Sequence, residues 1–99
     1  MAHKWELSSK TQDALTAASA AMAEAKEALD AAHLLLKDEI EDHRNEHGGM
    51  SERWQESDKG IAVDEWIDVM DEIADVLETA SDELDSTIES ADSYEPAQF

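Results

Sequence analysis

Two histidines and a glutamate near the middle of the chain have a spacing that could bind a metal. His43, Glu46 and His47 form an H-x-x-E-H pattern. Because residues four apart share one face of a helix, both imidazoles could ligate Zn²⁺ while the glutamate acts as a base, and Glu39 could be a third ligand. Histidines at a helix C-terminus have a simpler role, since they face the negative end of the helix dipole. The pattern ends at Gly48-Gly49, and we predict no metal site there.

A row of carboxylates in the last third of the chain is the stronger candidate for function. Residues 64–95 hold thirteen Asp or Glu and no Lys or Arg. Eight of them recur at alternating spacings of three and four, and we call this row the acidic ladder: Asp68, Asp71, Asp75, Glu78, Asp82, Asp85, Glu89 and Asp92. Three further carboxylates are predicted to flank it: Glu65, Glu72 and Glu83.

The acidic ladder is costly for the helix that carries it. Each like-charged pair at these spacings destabilises a helix by about 0.2–0.5 kcal/mol, so the ladder costs roughly 1.5–3.5 kcal/mol before screening. Lysines at alternate positions would reverse that sign. The charge is also uneven along the chain, because residues 1–50 carry 10 acidic and 5 basic side chains while residues 51–99 carry 16 and 2. This asymmetry favours a surface directed at a partner over halophilic adaptation, which should enrich Asp and Glu along the whole chain.

The charge density of this segment approaches that of a nucleic-acid strand. Twelve carboxylates lie between Asp64 and Asp92, which at a rise of ~1.5 Å per residue gives about one charge per 3.5–4 Å. One strand of duplex DNA carries about one phosphate per 3.4 Å. A straight helix could therefore occupy a groove whose Lys and Arg side chains normally hold phosphates.

Two long amphipathic segments must position these residues. The first is predicted to be a helix over 9–47, capped by Ser9 with Gln12 reaching back, and ended by Gly48-Gly49 in a left-handed conformation. Its predicted inner stripe is Leu15, Ala18, Met22, Ala25, Leu29, Ala32 and Leu36, widened by Ala14, Ala21, Ala28 and Leu35.

A connector over 48–60 separates the two segments. Ser51 is predicted to cap a short helix that carries Trp54, and Gly60 to end it. The last helix is predicted over 61–92, with the ladder opposite an inner stripe of Trp66, Met70, Ile73, Leu77, Ala80, Leu84, Thr87 and Ala91, broadened by Ile67, Val69, Val76 and Ile88.

These elements predict an all-α fold in one domain spanning 1–99. Two long helices joined by about a dozen residues fold back as an antiparallel helical hairpin with a short connecting helix. Residues 1–8, which include His3, are predicted to be a loose N-terminus and 93–99 a frayed tail, because Pro96 blocks further helix. Since a lone hairpin buries little, we expect a homodimer that forms a four-helix bundle or coiled coil.

Composition limits the classes of function. The net charge of −19 repels nucleic acids and anionic membranes and favours a basic partner surface. The chain has no Cys, no apolar run of signal or membrane-span length and no phosphate-binding glycine loop. No nucleophile has a plausible base beside it. We therefore expect a cytoplasmic protein that is not an enzyme and has no cofactor.

Several parts of the sequence resemble known families. The segment SERWQESDKGIAVDEWID at 51–68 is similar to short, uncharacterised acidic proteins of phages and mobile elements. In charge and size the chain resembles phage-encoded DNA-mimic inhibitors, including anti-CRISPR proteins. A hairpin of this length with Trp54 near its turn is similar to secreted WxG hairpins, although Glu56 stands where their glycine would be. The five residues at 43–47 are similar to the motif of inverted zinc peptidases.

The sequence thus predicts two alternative functions. In the first, the chain is an acidic DNA mimic whose ladder binds the basic groove of a nucleic-acid-binding protein or nuclease complex and blocks access of nucleic acid. In the second, it is a structural or interaction protein, of a phage or secreted type, whose acidity only keeps it soluble. Reversal of ladder charges separates the two.

Overall fold

A computed structural model describes residues 5–97, which form three helices and no strand. Helix α1 spans Ser9–Gly48, α2 spans Glu52–Gln55 and α3 spans Asp58–Asp92. Helices α1 and α3 pack against each other in antiparallel directions, so the predicted all-α helical hairpin is confirmed. The chain is long and thin, measuring 83 × 19 × 16 Å. Within residues 5–97, neither long helix has a stretch apolar enough to cross a membrane.

The buried apolar side chains of residues 5–97 lie at the seam between the two long helices. Ile40, Ile67 and Ala74 are buried there, and Leu36 and Met70 pack against them. The inward residues of α1 are Gln12, Leu15, Ser19, Met22, Lys26, Leu29, His33, Leu36, Ile40, His43 and His47. The inward residues of α3 are Val63, Ile67, Met70, Ala74, Leu77, Ser81, Leu84, Ile88 and Ala91.

Both inward faces are rotated from the predicted stripes. Alternate members of each stripe are wrong, because Ala18, Ala25 and Ala32 in α1 and Trp66, Ile73 and Thr87 in α3 are exposed, while Ala80 is half-buried. The inward positions beside them are occupied by Ser19, Lys26 and His33 in α1 and by Ala74 and Ser81 in α3, together with Ile67 and Ile88, which were predicted to broaden the stripe. The prediction gave precedence to alanine over polar residues at the seam.

Three of the polar seam residues, Ser19, Lys26 and Ser81, are tolerated because each has an acidic partner. Ser19 Oγ donates to Asp92 Oδ1 at 2.6 Å, and Ser81 Oγ donates to Asp30 Oδ1 at 2.5 Å. Lys26 Nζ donates to Asp30 Oδ2 at 3.0 Å. A two-helix seam is narrow enough for these polar atoms to reach its edge, where they are satisfied rather than stranded in an apolar interior.

The hydrogen bond between Ser81 and Asp30 should make the stability of the hairpin depend on pH. Hydrogen bonds from Ser81 and then Lys26 hold the pKa of the Asp30 carboxyl below its ordinary value. Because the folded pKa is the lower one, this contribution to stability is present above the ordinary carboxyl pKa and is lost as pH falls through the folded value. We expect Ser81→Ala to raise the pKa of Asp30, as followed by NMR titration of its carboxyl carbon. Ser86→Ala, at an exposed position of α3, is the control, and an unmoved Asp30 pKa in Ser81→Ala would contradict the assignment.

The ends of α1 differ from the prediction in two respects. Ser8, not Ser9, is the N-cap, because its Oγ accepts from the Thr11 amide at 3.3 Å. Gln12 does reach back, donating to the Leu7 carbonyl at 2.8 Å. At the other end Gly49 keeps a right-handed conformation (φ −83°, ψ −11°), and its amide bonds the Asn45 and Glu46 carbonyls. The predicted left-handed residue is therefore absent from this turn.

The connector is tighter than predicted. Ser51 caps α2 as expected, accepting from the Trp54 amide at 3.2 Å. Helix α3 begins at Asp58 rather than 61, because Ser57 caps it by accepting from the Gly60 amide at 3.1 Å. Gly60 therefore does not end the short helix. It is buried in the first turn of α3, directly against the backbone of α2.

The described parts of the two chain ends contact each other. The Leu7 amide donates to the Tyr94 hydroxyl at 2.8 Å, and the Ala97 amide donates to the Trp5 carbonyl at 3.0 Å. The prediction of a frayed tail is therefore wrong over residues 93–97. The prediction for His3 lies outside the described residues.

Candidate partner-binding surface

The acidic ladder lies beside the seam, not opposite it as predicted. Each ladder residue follows an inward residue by one position, as Asp68 follows Ile67 and Asp75 follows Ala74. One residue is about 100° of helix rotation, so the ladder runs along one flank of α3. The line opposite the seam is occupied by Glu65, Glu72, Thr79 and Ser86.

The ladder is aligned and largely open to solvent. Of its eight residues only Asp71 is half-buried, and the others are exposed. Glu65 and Glu72 flank it on the outer line of α3, as predicted. Glu83 precedes the inward Leu84, so it lies on the far flank of the helix and does not extend the ladder.

The end of the ladder nearest the connector is neutralised by α1. Arg44 Nη2 lies 3.4 Å from Asp68 Oδ1 and 3.3 Å from Asp71 Oδ2. Lys37 Nζ lies 3.2 Å from Asp71 Oδ1. Exposed ion pairs of this kind add little stability, about 0–1 kcal/mol each. They do engage two carboxylates, Asp68 and Asp71, with cations of α1, and so reduce the charge available to a partner at this end.

The section of the ladder from Asp75 to Glu89 has no such neutralisation. Within residues 5–97, no Lys or Arg lies at ion-pair distance from Asp75, Asp82, Asp85 or Glu89. We call 75–89 the unpaired section, and it is about 21 Å long at ~1.5 Å per residue.

Two groups of α1 approach the unpaired section. Glu78 lies in it, with Oε2 3.8 Å from His33 Nε2, which has no hydrogen-bond partner. The pKa of Lys26 is raised first by its hydrogen bond to Asp30 and less by the charges of Asp85 and Asp82. The charges of the unpaired section therefore act on Lys26, but its ammonium group is hydrogen-bonded to Asp30.

The histidines of the H-x-x-E-H pattern pack against tryptophans. The His43 and Trp66 rings meet edge to face with centroids 5.2 Å apart, and those of His47 and Trp54 at 5.4 Å. His47 Nε2 also lies 2.9 Å from the Gly60 carbonyl oxygen. Among residues 5–97 there is no cluster of three His, Cys, Asp or Glu side chains that could hold a metal ion.

Sequence reasoning missed the basic residues that neutralise the ladder, although a signal was present. Lys37 and Arg44 are seven residues apart, and each follows an inward residue of α1 by one position. In an antiparallel pair, the flank that follows the inward face of one helix lies beside the equivalent flank of the other. Their spacing could therefore have placed them next to the start of the ladder.

Comparison of the chain with protein families, curated proteins and solved structures found no match. The acidic ladder is therefore the feature that points to a function. Its strongest feature is the unpaired section of the ladder.

Proposed function

We propose that this protein is an acidic inhibitor that occupies the basic groove of a nucleic-acid-binding protein or nuclease complex and blocks access of nucleic acid. The observation that supports this most directly is the unpaired section of the ladder. Its exposed Asp75, Asp82, Asp85 and Glu89 carboxylates lack Lys or Arg partners among the described residues, although α1 supplies such cations to the ladder at Asp68 and Asp71. A surface whose charges are left without internal partners is ready to bind external ones.

The charge density of this flank is lower than the sequence suggested. Ladder carboxylates follow one another every three or four residues, which is about one per 5 Å of helix. A DNA strand carries about one phosphate per 3.4 Å. The proposed mimicry is therefore that of a polyanion recognised by a row of Lys and Arg side chains, with release of counterions, rather than a phosphate-by-phosphate copy.

Rigidity also supports the proposal. The unpaired section lies on a helix held to α1 by the half-buried Leu77, Leu84 and Ile88. A partner would not have to order this segment, so little conformational entropy would be lost on binding. An acidic tail of equal charge would lose more.

The decisive experiment reverses the charge of the unpaired section. We would immobilise the protein and its Asp75→Lys/Glu89→Lys variant, capture partners from a host lysate, elute with salt and compete with duplex DNA. The control is Glu24→Lys/Asp38→Lys, which changes net charge equally on exposed positions of α1. We expect basic nucleic-acid-binding partners that DNA displaces, retained by the control and lost by the ladder variant.

Three outcomes would contradict the proposal. Equal loss in both variants would show that only net charge matters. No loss in either would favour the alternative in which acidity serves solubility. Recovery of acidic or neutral partners alone would show that the ladder is not the recognised surface.

A further inference from the structure

The flank of the hairpin opposite the ladder is apolar and exposed. On α3, Trp66, Val69, Ile73 and Val76 are 46, 48, 42 and 66% exposed, and on α1 Leu35 is 67% exposed. We call this surface the apolar flank; it comprises Trp66, Val69, Ile73, Val76 and Ala80 of α3 with Ala14, Ala18, Ala21, Ala25, Ala28, Ala32 and Leu35 of α1. Each of these residues precedes an inward residue by one position, whereas each ladder residue follows one, so the two surfaces lie on opposite flanks.

The monomer leaves far more surface in water than a chain of this size normally does. Its accessible surface is 7723 Å², whereas a compact monomer of 11.0 kDa exposes about 5,600 Å². Its radius of gyration is 22.7 Å, against about 13 Å for a compact domain of this length. The described residues bury only three apolar side chains, Ile40, Ile67 and Ala74. A second layer of helices is what such a hairpin lacks.

We infer that a second copy of this chain covers the apolar flank and forms a four-helix dimer. The excess surface is roughly 2,100 Å² per chain, and a specific interface needs only about 800 Å² from each partner. One hairpin therefore has more total surface to spare than a stable dimer interface needs, and the apolar flank is its exposed apolar part. A layer of two more helices also matches the shape of the exposed surface, which extends over both α1 and α3.

Charge explains why two chains of net charge −19 can meet on this flank. The residues of the apolar flank are uncharged, and the charged residues that continue the same lines, Glu83 on α3 and Glu39, Asp42 and Glu46 on α1, are fewer than the eight carboxylates of the ladder. Association through this surface keeps both ladders on the outside, where water and salt screen their repulsion. Association through any face that includes a ladder would bring carboxylates together and desolvate them.

Trp66 is the residue expected to contribute most. Its ring is half exposed and borders a groove lined by Leu36, Ile40 and Met70, whose floor is the core of the hairpin. Aromatic anchors beside apolar grooves carry a large share of interface energy. The interface would thereby be continuous with the seam instead of being a separate patch.

The test is a pair of matched substitutions followed by molar mass from light scattering. Val76 and Leu34 are 66% and 65% exposed, but Leu34 lies on the ladder side of α1. We expect twice the chain mass of 11.0 kDa for the wild type and for Leu34→Glu, and a single chain mass for Val76→Glu. Circular dichroism of each variant reports whether the helices remain.

Thermal unfolding tests the dimer even if the single chain does not fold alone. If dissociation unfolds the hairpin, the thermal midpoint of the wild type must rise with protein concentration, and Val76→Ala must lower that midpoint at each concentration while keeping the helices. A wild-type monomer at all concentrations overturns the inference, including one that binds a basic amphipathic peptide on this flank. So does a dimer that survives Val76→Glu, since the interface would then lie elsewhere.

Discussion

Replacing Gly60 with alanine should destabilise the protein by roughly 2–3 kcal/mol, the range of a severe overpacking change. On helix propensity alone the substitution would gain about 1 kcal/mol, because Gly60 lies within α3. A Cβ at this position would lie 2.2 Å from the Trp54 carbonyl oxygen and 2.8 Å from the Gln55 Cα and carbonyl oxygen. These atoms are backbone, so neither a rotamer change nor a flexible side chain can relieve the clash. The close approach of α2 to α3 therefore outweighs propensity.

Gly48→Ala is the matched control for this prediction. Gly48 is the last residue of α1, and a Cβ there would meet nothing within 4 Å. Alanine should be neutral or stabilise by up to about 1 kcal/mol at that end. Urea unfolding followed by circular dichroism measures both changes on one scale. Equal effects of the two substitutions would mean that the packing of α2 on α3 does not restrain Gly60.

Gly60 also shows what the sequence could and could not predict about the fold. Two long helices and a turn near the glycines follow from spacing and composition alone, and they are correct. The role of Gly60 does not follow, because the sequence alone does not distinguish a glycine that ends a helix from a glycine that allows close contact between two helices. The competing cap, Ser57, stands three residues before Gly60 and is a recognisable signal for the true helix start.

The rotation of the inward faces has a similar cause. In α3 the lines through Trp66 and Ile67 are both apolar for several turns, so periodicity alone does not decide which faces α1. The line of Ile67, Ala74 and Ser81 packs against α1, because its small members let the helices approach closely. The line of Trp66 is exposed to solvent. A helix that packs against two partners needs two apolar lines. The line of Ile67 packs on α1, and the exposed line of Trp66 is left for the second chain of the inferred dimer.

The residues of the acidic ladder could be predicted from the sequence, but their ion pairs with α1 could not. The regular recurrence of carboxylates is a property of the sequence. Neutralisation of Asp68 and Asp71 depends on the register of α1 against α3, which brings Arg44 and Lys37 beside them. The ladder therefore divides into a paired end that serves the hairpin and an unpaired section that remains available.

Charge reversal in the unpaired section should stabilise the fold that it carries. Asp75→Lys/Glu89→Lys turns repulsive contacts with Asp71, Glu78, Asp85 and Asp92 into attractive ones. Each changes from a cost to a gain of about 0.2–0.5 kcal/mol, so after screening we expect a gain on the order of 1–2 kcal/mol at low ionic strength. In a domain of this size that raises the thermal midpoint by about 4–15 °C. Thermal unfolding at low and high salt measures the gain.

A neutral variant separates attraction from relief of repulsion. Asp75→Gln/Glu89→Gln removes like-charged contacts without adding favourable ones, so its stability should fall between the wild type and the lysine variant. All differences should shrink at high salt, because these side chains are exposed. A lysine variant less stable than the wild type at low salt would show that these carboxylates support the hairpin, as Asp68 and Asp71 do. A more stable hairpin that no longer captures basic partners would show instead that the sequence retains a destabilising row of charge because a partner binds it.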